Sequence, residues 1–241
     1  MKILGFDTAT SATTVALLDV ESDTAIERRD DPVAGERPRH TTRLMALVVE
    51  VLHDGGAEWA DIDRIAVGVG PGTFTGLRIG VATAQALARA RQLPLVGIST
   101  LQSLARRAAA GGLAGEDAVL AAIDARRGEV FAAGWDAGDV MRSDADPLLA
   151  PRAITPAALP EALSGLDRRW LAVGDGAIES REALERSGVR IPEEDSERNR
   201  VSAVEHCRLA IGVRPGPAEG VRPEYLRLPD AEISRRAARQ R

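Results

Sequence analysis

Residues 65–90, IAVGVGPGTFTGLRIGVATAQALARA, constrain the fold most, because a buried strand, a glycine-rich turn and a helix of little bulk follow one another without a break. Residues 65–69 are apolar and β-branched, the pattern of a strand covered on both faces in a mostly parallel sheet. Gly70, Pro71 and Gly72 end it, since glycine accepts positive φ and proline cannot extend a ladder, and Thr73 or Thr75 is placed to cap a helix starting near Gly76. That helix carries Gly76, Gly80, Ala84 and Ala88 at i+4 spacing, with Ala82, Ala86 and Ala90 on a second line. Each glycine costs a helix roughly 1 kcal/mol relative to alanine, so the stripe asks for a closely approaching backbone. Either the chain's own sheet or a helix of another subunit can supply it.

The same loop invites a phosphate-binding reading. A Walker A loop needs Gly-Lys-Ser/Thr where Gly76 is followed by Leu77 and Arg78, and the dinucleotide fingerprint needs a third glycine where Thr75 stands, so neither motif is present. Backbone amides at the helix N-terminus remain able to hold an anion.

The 241 residues suit one compact domain or two lobes. A net charge of -5 argues against a protein that grips nucleic acid by overall charge, leaving only a local patch for such a role. The single cysteine, Cys207, excludes an internal disulfide and lies in an apolar helical pattern that suits a buried, inert thiol. Residues 3–6 are too short an apolar run for a signal peptide, and nothing approaches a membrane span, so a soluble cytoplasmic protein is expected.

Residues 2–6 read as a strand stopped by Asp7, followed by a small polar turn with Thr8 and Thr10 and a returning strand over residues 14–20. About 115 residues further on the pattern recurs as a strand, Asp124, the turn Ala125-Arg126-Arg127-Gly128 and a second strand. Two such units predict an α/β chain with the actin-like ATPase fold (ASKHA), in two duplicated lobes, each a mixed sheet flanked by helices. The expected division is residues 1–112, 113–230 and a basic tail, 231–241, with the helix over residues 201–212 left unassigned between lobes. In working members of that fold the two carboxylates face each other and hold Mg-nucleotide phosphates. Asp7 and Asp124 can equally satisfy backbone amides of their own turns.

Residues 27–39 read as a charged surface connection. The helix over residues 40–53 is apolar on most of its circumference, with Leu44, Val48, Val51 and Leu52 on one face and Met45, Leu47 and Val49 beside it, so it must be covered on two sides. Ser99 to Gln102 has the form of a capping box. In the second half, Pro156 opens a helix, a strand over residues 170–173 leads into Gly174-Asp175-Gly176, read as a tight turn or a vestigial nucleoside pocket, and residues 179–187 are helical. Residues 235–241 hold four arginines, a run that is usually just solvated but is the one place where nucleic-acid phosphates can be met locally.

The phrases LGFDTAT, RHTTRLM, GPGTFTGLRIG, GISTLQSLA, AAIDARRGEVFAA and PEYLR resemble, in order and spacing, the bacterial TsaB (YeaZ) family over nearly the whole chain. The resemblance implies the actin-like fold and a non-catalytic subunit of tRNA threonylcarbamoyladenosine synthesis. Such a subunit pairs with TsaD, which performs the transfer to the adenosine beside the anticodon, and with the small ATPase TsaE. It meets tRNA only indirectly, needs no cofactor, and is a possible homodimer in isolation. In the family the TsaD contact is a bundle of the first two helices, which here implies an interface of Leu44, Met45, Val48, Val51, Leu52, Leu77, Gly80, Val81, Ala84 and Ala88. A vestigial nucleotide site would comprise Asp7, Thr8, Thr10, Gly70, Gly72 and Thr73. The catalytic relative's metal-binding histidine pair has no counterpart in residues 99–104, and His40, His53 and His206 share no metal-ligand spacing, which disfavours a metallopeptidase as well. The competing expectation is an active small-molecule kinase or ATPase resting on Asp7, Thr8, Thr10 and the GPGT loop.

Overall fold

The computed structural model describes residues 1–33, 35–112, 114–115 and 117–227. The predicted basic tail, residues 231–241, lies outside the described residues. The first half contains β1 (Lys2–Asp7), β2 (Thr13–Asp19), β3 (Thr24–Asp30), α1 (His40–Asp54), β4 (Arg64–Gly70), α2 (Phe74–Arg91), β5 (Leu95–Ser99) and α3 (Thr100–Ala110). The second contains β6 (Ala118–Arg126), β7 (Glu129–Asp136), β8 (Leu149–Ile154), α4 (Leu159–Ser164), β9 (Trp170–Val173), α5 (Asp175–Glu179), α6 (Arg181–Arg186) and α7 (Ala203–Gly212).

The sheets are ordered β3-β2-β1-β4-β5 and β8-β7-β6-β9. In each, three antiparallel strands are followed by a strand parallel to the first, so the duplication seen in the two hairpins extends to the whole sheet. The edge strands β3 and β8 escape the sequence reading. TAIERRD is charged and LAPRAI carries a proline, and both features blunt an edge against foreign pairing while erasing the apolar signature of a strand.

Alternation along each central strand assigns its two faces. Val119, Ala121, Ile123 and Ala125 of β6 pack with Leu101, Leu104, Ala105 and Ala108 of α3, while Ala118, Leu120 and Ala122 face α4, α5 and α6. Leu4 and Phe6 of β1 face α1 and α2, and Ile3 faces Ala203, Cys207 and Ala210 of α7. The layers are therefore α1 and α2, the first sheet, α7 with α3, the second sheet, and α4 to α6. A division at residue 112 separates the sheets, but the intervening helices cross over: α3 packs on the second sheet and α7 on the first. Glycine at position 5 allows the latter, since a Cβ there would collide with the Cys207 sulfur. Cys207 is fully buried, and burial pushes its thiol pKa up, as expected of an inert side chain.

Ser99 caps α3 by accepting from the Gln102 amide at 3.3 Å, but the Gln102 side chain donates to the Arg142 carbonyl instead of closing the box. Thr73 occupies the N-cap position of α2 without a side-chain capping bond.

The glycine stripe of α2 faces inward. A Cβ on Gly76 would overlap the carbonyl oxygen of Thr8, and one on Gly80 would meet the Thr8 hydroxyl. Gly76→Ala should destabilise the protein by about 1–3 kcal/mol in urea or thermal denaturation. A free helix would gain about 1 kcal/mol from the same change. A rise in stability would show that the two backbones are not in contact.

Candidate functional site

The tip of β1 is built around a buried charge. Asp7 is 1% exposed; its Oδ1 accepts from the Ala9 amide at 2.6 Å, and its Oδ2 accepts from the Thr100 hydroxyl at 2.7 Å. His206 Nε2 of α7 lies 2.9 Å from the same Oδ2, an ionic contact without hydrogen-bond alignment. Nδ1 of His206 sits 2.9 Å from both the Ser202 carbonyl and the Ser103 hydroxyl. A carbonyl oxygen can only accept, which makes Nδ1 a donor to Ser202. Gly68 on β4 leaves the space for the pair, because a Cβ there would fall on the Asp7 carboxylate. Burial pushes the Asp7 carboxyl up, but His206, the Ala9 amide and Thr100 together hold it below the usual carboxylate range.

The other residues expected at a nucleotide site are brought to this turn, but they pack on one another. The Thr8 hydroxyl donates to the Gly76 carbonyl at 2.7 Å, and the Thr73 amide donates to the Ala9 carbonyl at 2.7 Å. Gly72 lies so close to Ala9 that a Cβ would overlap it. Gly70, at φ +117°, is overlaid by the Glu224 backbone. The first-lobe half of the expected cradle is thus filled largely by its own groups: Asp7, Thr8 and Gly70 are buried, Gly72 and Thr73 are half-buried, and Thr10 borders an open space. That space is a cavity of about 130 Å³ between the lobes, bounded by Thr10, Ser11, Arg29, Asp175 and Arg200.

The second-lobe turn satisfies itself. Asp124 Oδ1 accepts from the Arg126 amide at 2.6 Å and Oδ2 pairs with its guanidinium at 3.0 Å. Gly174 and Gly176 pack against the backbone of residues 122–123, with Gly174 at the N-cap of α5 and Gly176 inside it, so the close contact is made by the start of a helix and not by the expected tight turn. Asp175 accepts from the amides of Asp124 and Gly176, and burial raises its pKa. Sequence reasoning missed Gly68, Thr100, Ser103 and the role of His206. The available signal was polar residues, Thr100, Ser103, Glu205 and His206, on the faces by which α3 and α7 are buried.

The expected interface needs correction. Leu44, Val48, Val51, Leu52, Leu77, Gly80, Val81, Ala84 and Ala88 are all buried within the single chain, because the sheet and the neighbouring helix cover them. Of the residues named, only Met45 is exposed, at 41%; Val49 one turn on is 61% exposed. On α2 the exposed line is Ala82, Ala86 and Ala90, the second row of small residues. Beyond Val49 the surface continues into an open groove of about 540 Å³ with His53, Trp59 and Arg91, whose guanidinium lies 4.9 Å from the Trp59 ring centroid.

Two mixed sheets of duplicated topology, each with an aspartate at or near the tip of its first strand, define an actin-like α/β protein. The family model for TsaD, tRNA N6-adenosine threonylcarbamoyltransferase, matches residues 35–179. The tRNA threonylcarbamoyladenosine biosynthesis protein TsaB of Escherichia coli is 36% identical over 178 residues, covering 73% of this chain and 72% of the relative; the Bacillus subtilis TsaB is 34% identical over 136 residues, 54% of this chain and 53% of the relative. The crystal structure of YeaZ from Pseudomonas aeruginosa superposes with a TM-score of 0.76 at 29% identity, covering 93% of this chain and 99% of that one. EutJ from Carboxydothermus hydrogenoformans, at 13% identity over 87% of this chain and 90% of its own, shares the fold with a TM-score of 0.53. The chain belongs to the TsaB (YeaZ) family. Among the described residues no helix is long and apolar enough to cross a membrane, and no group of three or more histidine, cysteine or acidic residues is arranged to hold a metal.

The Asp7 carboxyl, with its pKa lowered by folding, stabilises the native state above the unfolded carboxylate pKa of about 3.9, and this is lost as pH falls through the folded value. Asp7→Asn should cost about 1–3 kcal/mol at pH 7 by removing the buried carboxylate that the Ala9 amide, the Thr100 hydroxyl and His206 surround. The gap between wild type and variant in denaturant titrations should shrink below about pH 4. A gap that is constant from pH 3 to pH 7 would show that the carboxylate charge is not what the fold uses.

Proposed function

We propose that the chain serves tRNA threonylcarbamoyladenosine synthesis as a non-catalytic subunit, docking on a TsaD-type catalytic partner through the outer face of α1 and α2. The observation that carries this reading is Asp7: the one carboxylate at the tip of the first strand is enclosed, with the Ala9 amide, the Thr100 hydroxyl and His206 around it. A carboxylate so engaged is not free to ligate magnesium, and the Thr8 hydroxyl beside it is committed to α2. Chemistry is then left to the partner.

The outer helix face supports docking. Met45 and Val49 stand on adjacent turns of α1, the exposed alanine line of α2 lets a partner helix approach closely, and the groove beside Trp59 can receive a protruding apolar side chain. A small ATPase of the TsaE type joining the pair, and homodimerisation through the same face when the chain is alone, belong to the same proposal. The cytoplasm, where tRNA is modified, is its setting.

Val49→Asp should leave the melting temperature within a few degrees of wild type, since surface substitutions usually change stability by less than about 0.5 kcal/mol, and should abolish co-elution with TsaD in size-exclusion chromatography. Leu44→Asp should unfold the chain instead. Unchanged co-elution of Val49→Asp together with Met45→Asp would refute this surface.

A further inference from the structure

The segment after α7 touches the site described only where the Glu224 backbone covers Gly70. It runs as an extended strap over the first lobe and on to the second. Gly216 bridges Leu95, Gln85 donates to the carbonyls of Ala218 and Val221, and Arg89 pairs with Glu219 at 2.8 Å. The Glu224 amide donates to the Val69 carbonyl at 2.7 Å, and Arg227 reaches Glu129 of β7 at 2.9 Å.

Its centre is an aromatic and guanidinium stack. Tyr225, the only tyrosine in the chain, packs on Phe74 with ring centroids 5.1 Å apart and is 41% exposed. The Arg78 guanidinium lies 3.8 Å from the Phe74 centroid and donates from Nε to the Tyr225 hydroxyl at 3.2 Å. The ring is thus held in place with one side open, the condition under which an aromatic side chain takes up an unstacked base at little entropic cost.

Over its described residues, 214–227, the strap carries three arginines, Arg214, Arg222 and Arg227, against Glu219 and Glu224, a net of +1 in a molecule of -5. At the strap's far end the β6–β7 turn presents Arg126 and Arg127 with φ of +65° and +59°, a conformation that asparagine or glycine adopts more cheaply. The carboxylates facing the strap are compensated: Glu219 by Arg89, Glu129 by Arg227 and Asp124 by Arg126, while burial of Glu224 raises its pKa toward the neutral form.

We propose that this strap, with Tyr225, Phe74 and Arg78 at its centre and the Arg126–Arg127 turn at its end, is a contact surface for single-stranded RNA. An unpaired base stacks on Tyr225, and the arginines meet the flanking phosphates. That the RNA is a tRNA loop rests on the proposed role in tRNA modification; the stacking surface itself does not.

The test is fluorescence anisotropy of a labelled, unmodified tRNA transcript with the full chain alone, at about 50 mM and 200 mM salt. Binding should weaken at the higher salt, and a single-stranded oligonucleotide should compete better than a duplex of equal length. Tyr225→Ala and Arg78→Ala should each weaken it about tenfold or more with an unchanged melting curve. No binding, or binding that neither substitution changes, overturns the proposal. So does loss of TsaD co-elution in Tyr225→Ala with RNA affinity intact, which would make the patch a protein interface. Because the titration uses the chain alone, it reads out whether or not Val49→Asp disrupts docking.

Discussion

A carboxylate buried at the tip of β1 is the constraint on which the arrangement depends. An unpaired charge in that position would be prohibitively costly, so partners have to be delivered to it from elsewhere in the chain. Thr100 comes from the start of α3 and His206 from α7, so the two helices lying between the sheets are fixed at one point. A second buried pair, Arg106 with Glu205, joins the same two helices further along. The close seating of α7 needs Gly5 and Gly68, and that of α2 needs Gly76 and Gly80. The glycines that look dispersed along the sequence are gathered around the Asp7 turn and the face of β1 behind it.

This convergence also shapes what the molecule can do. The turn that would meet phosphates is closed by its own backbone, and the space left between the lobes is small. On the opposite side of the first sheet, α1 exposes Met45 and Val49 and α2 exposes Ala82, Ala86 and Ala90.

Much of the fold was legible in the residues. The central strands β1, β2, β4, β6 and β7 are apolar on both faces or end in a carboxylate, and the repeat of strand, aspartate and turn announced the duplication. The edge strands β3 and β8 were not legible, because their charged residues and proline are those of a loop, whereas the apolar edges β5 and β9 were. The crossing of α3 and α7 was hidden too, since sequence order says nothing about which sheet covers a helix. The interface residues were misread for a related reason. Helical periodicity shows that α1 is apolar on two sides, but not that its own sheet and α2 already cover Leu44, Val48 and Val51, leaving Met45 and Val49 outside. His206 looked like one polar residue on an amphipathic helix until its partner, far away in sequence, was in place.

The central claim, that the phosphate-handling turn is occupied by the protein's own groups, is tested most directly by isothermal titration calorimetry of the isolated chain with Mg-ATP at millimolar nucleotide. No heat of binding and no hydrolysis are predicted. Stoichiometric binding with turnover that disappears in Asp7→Asn would contradict it.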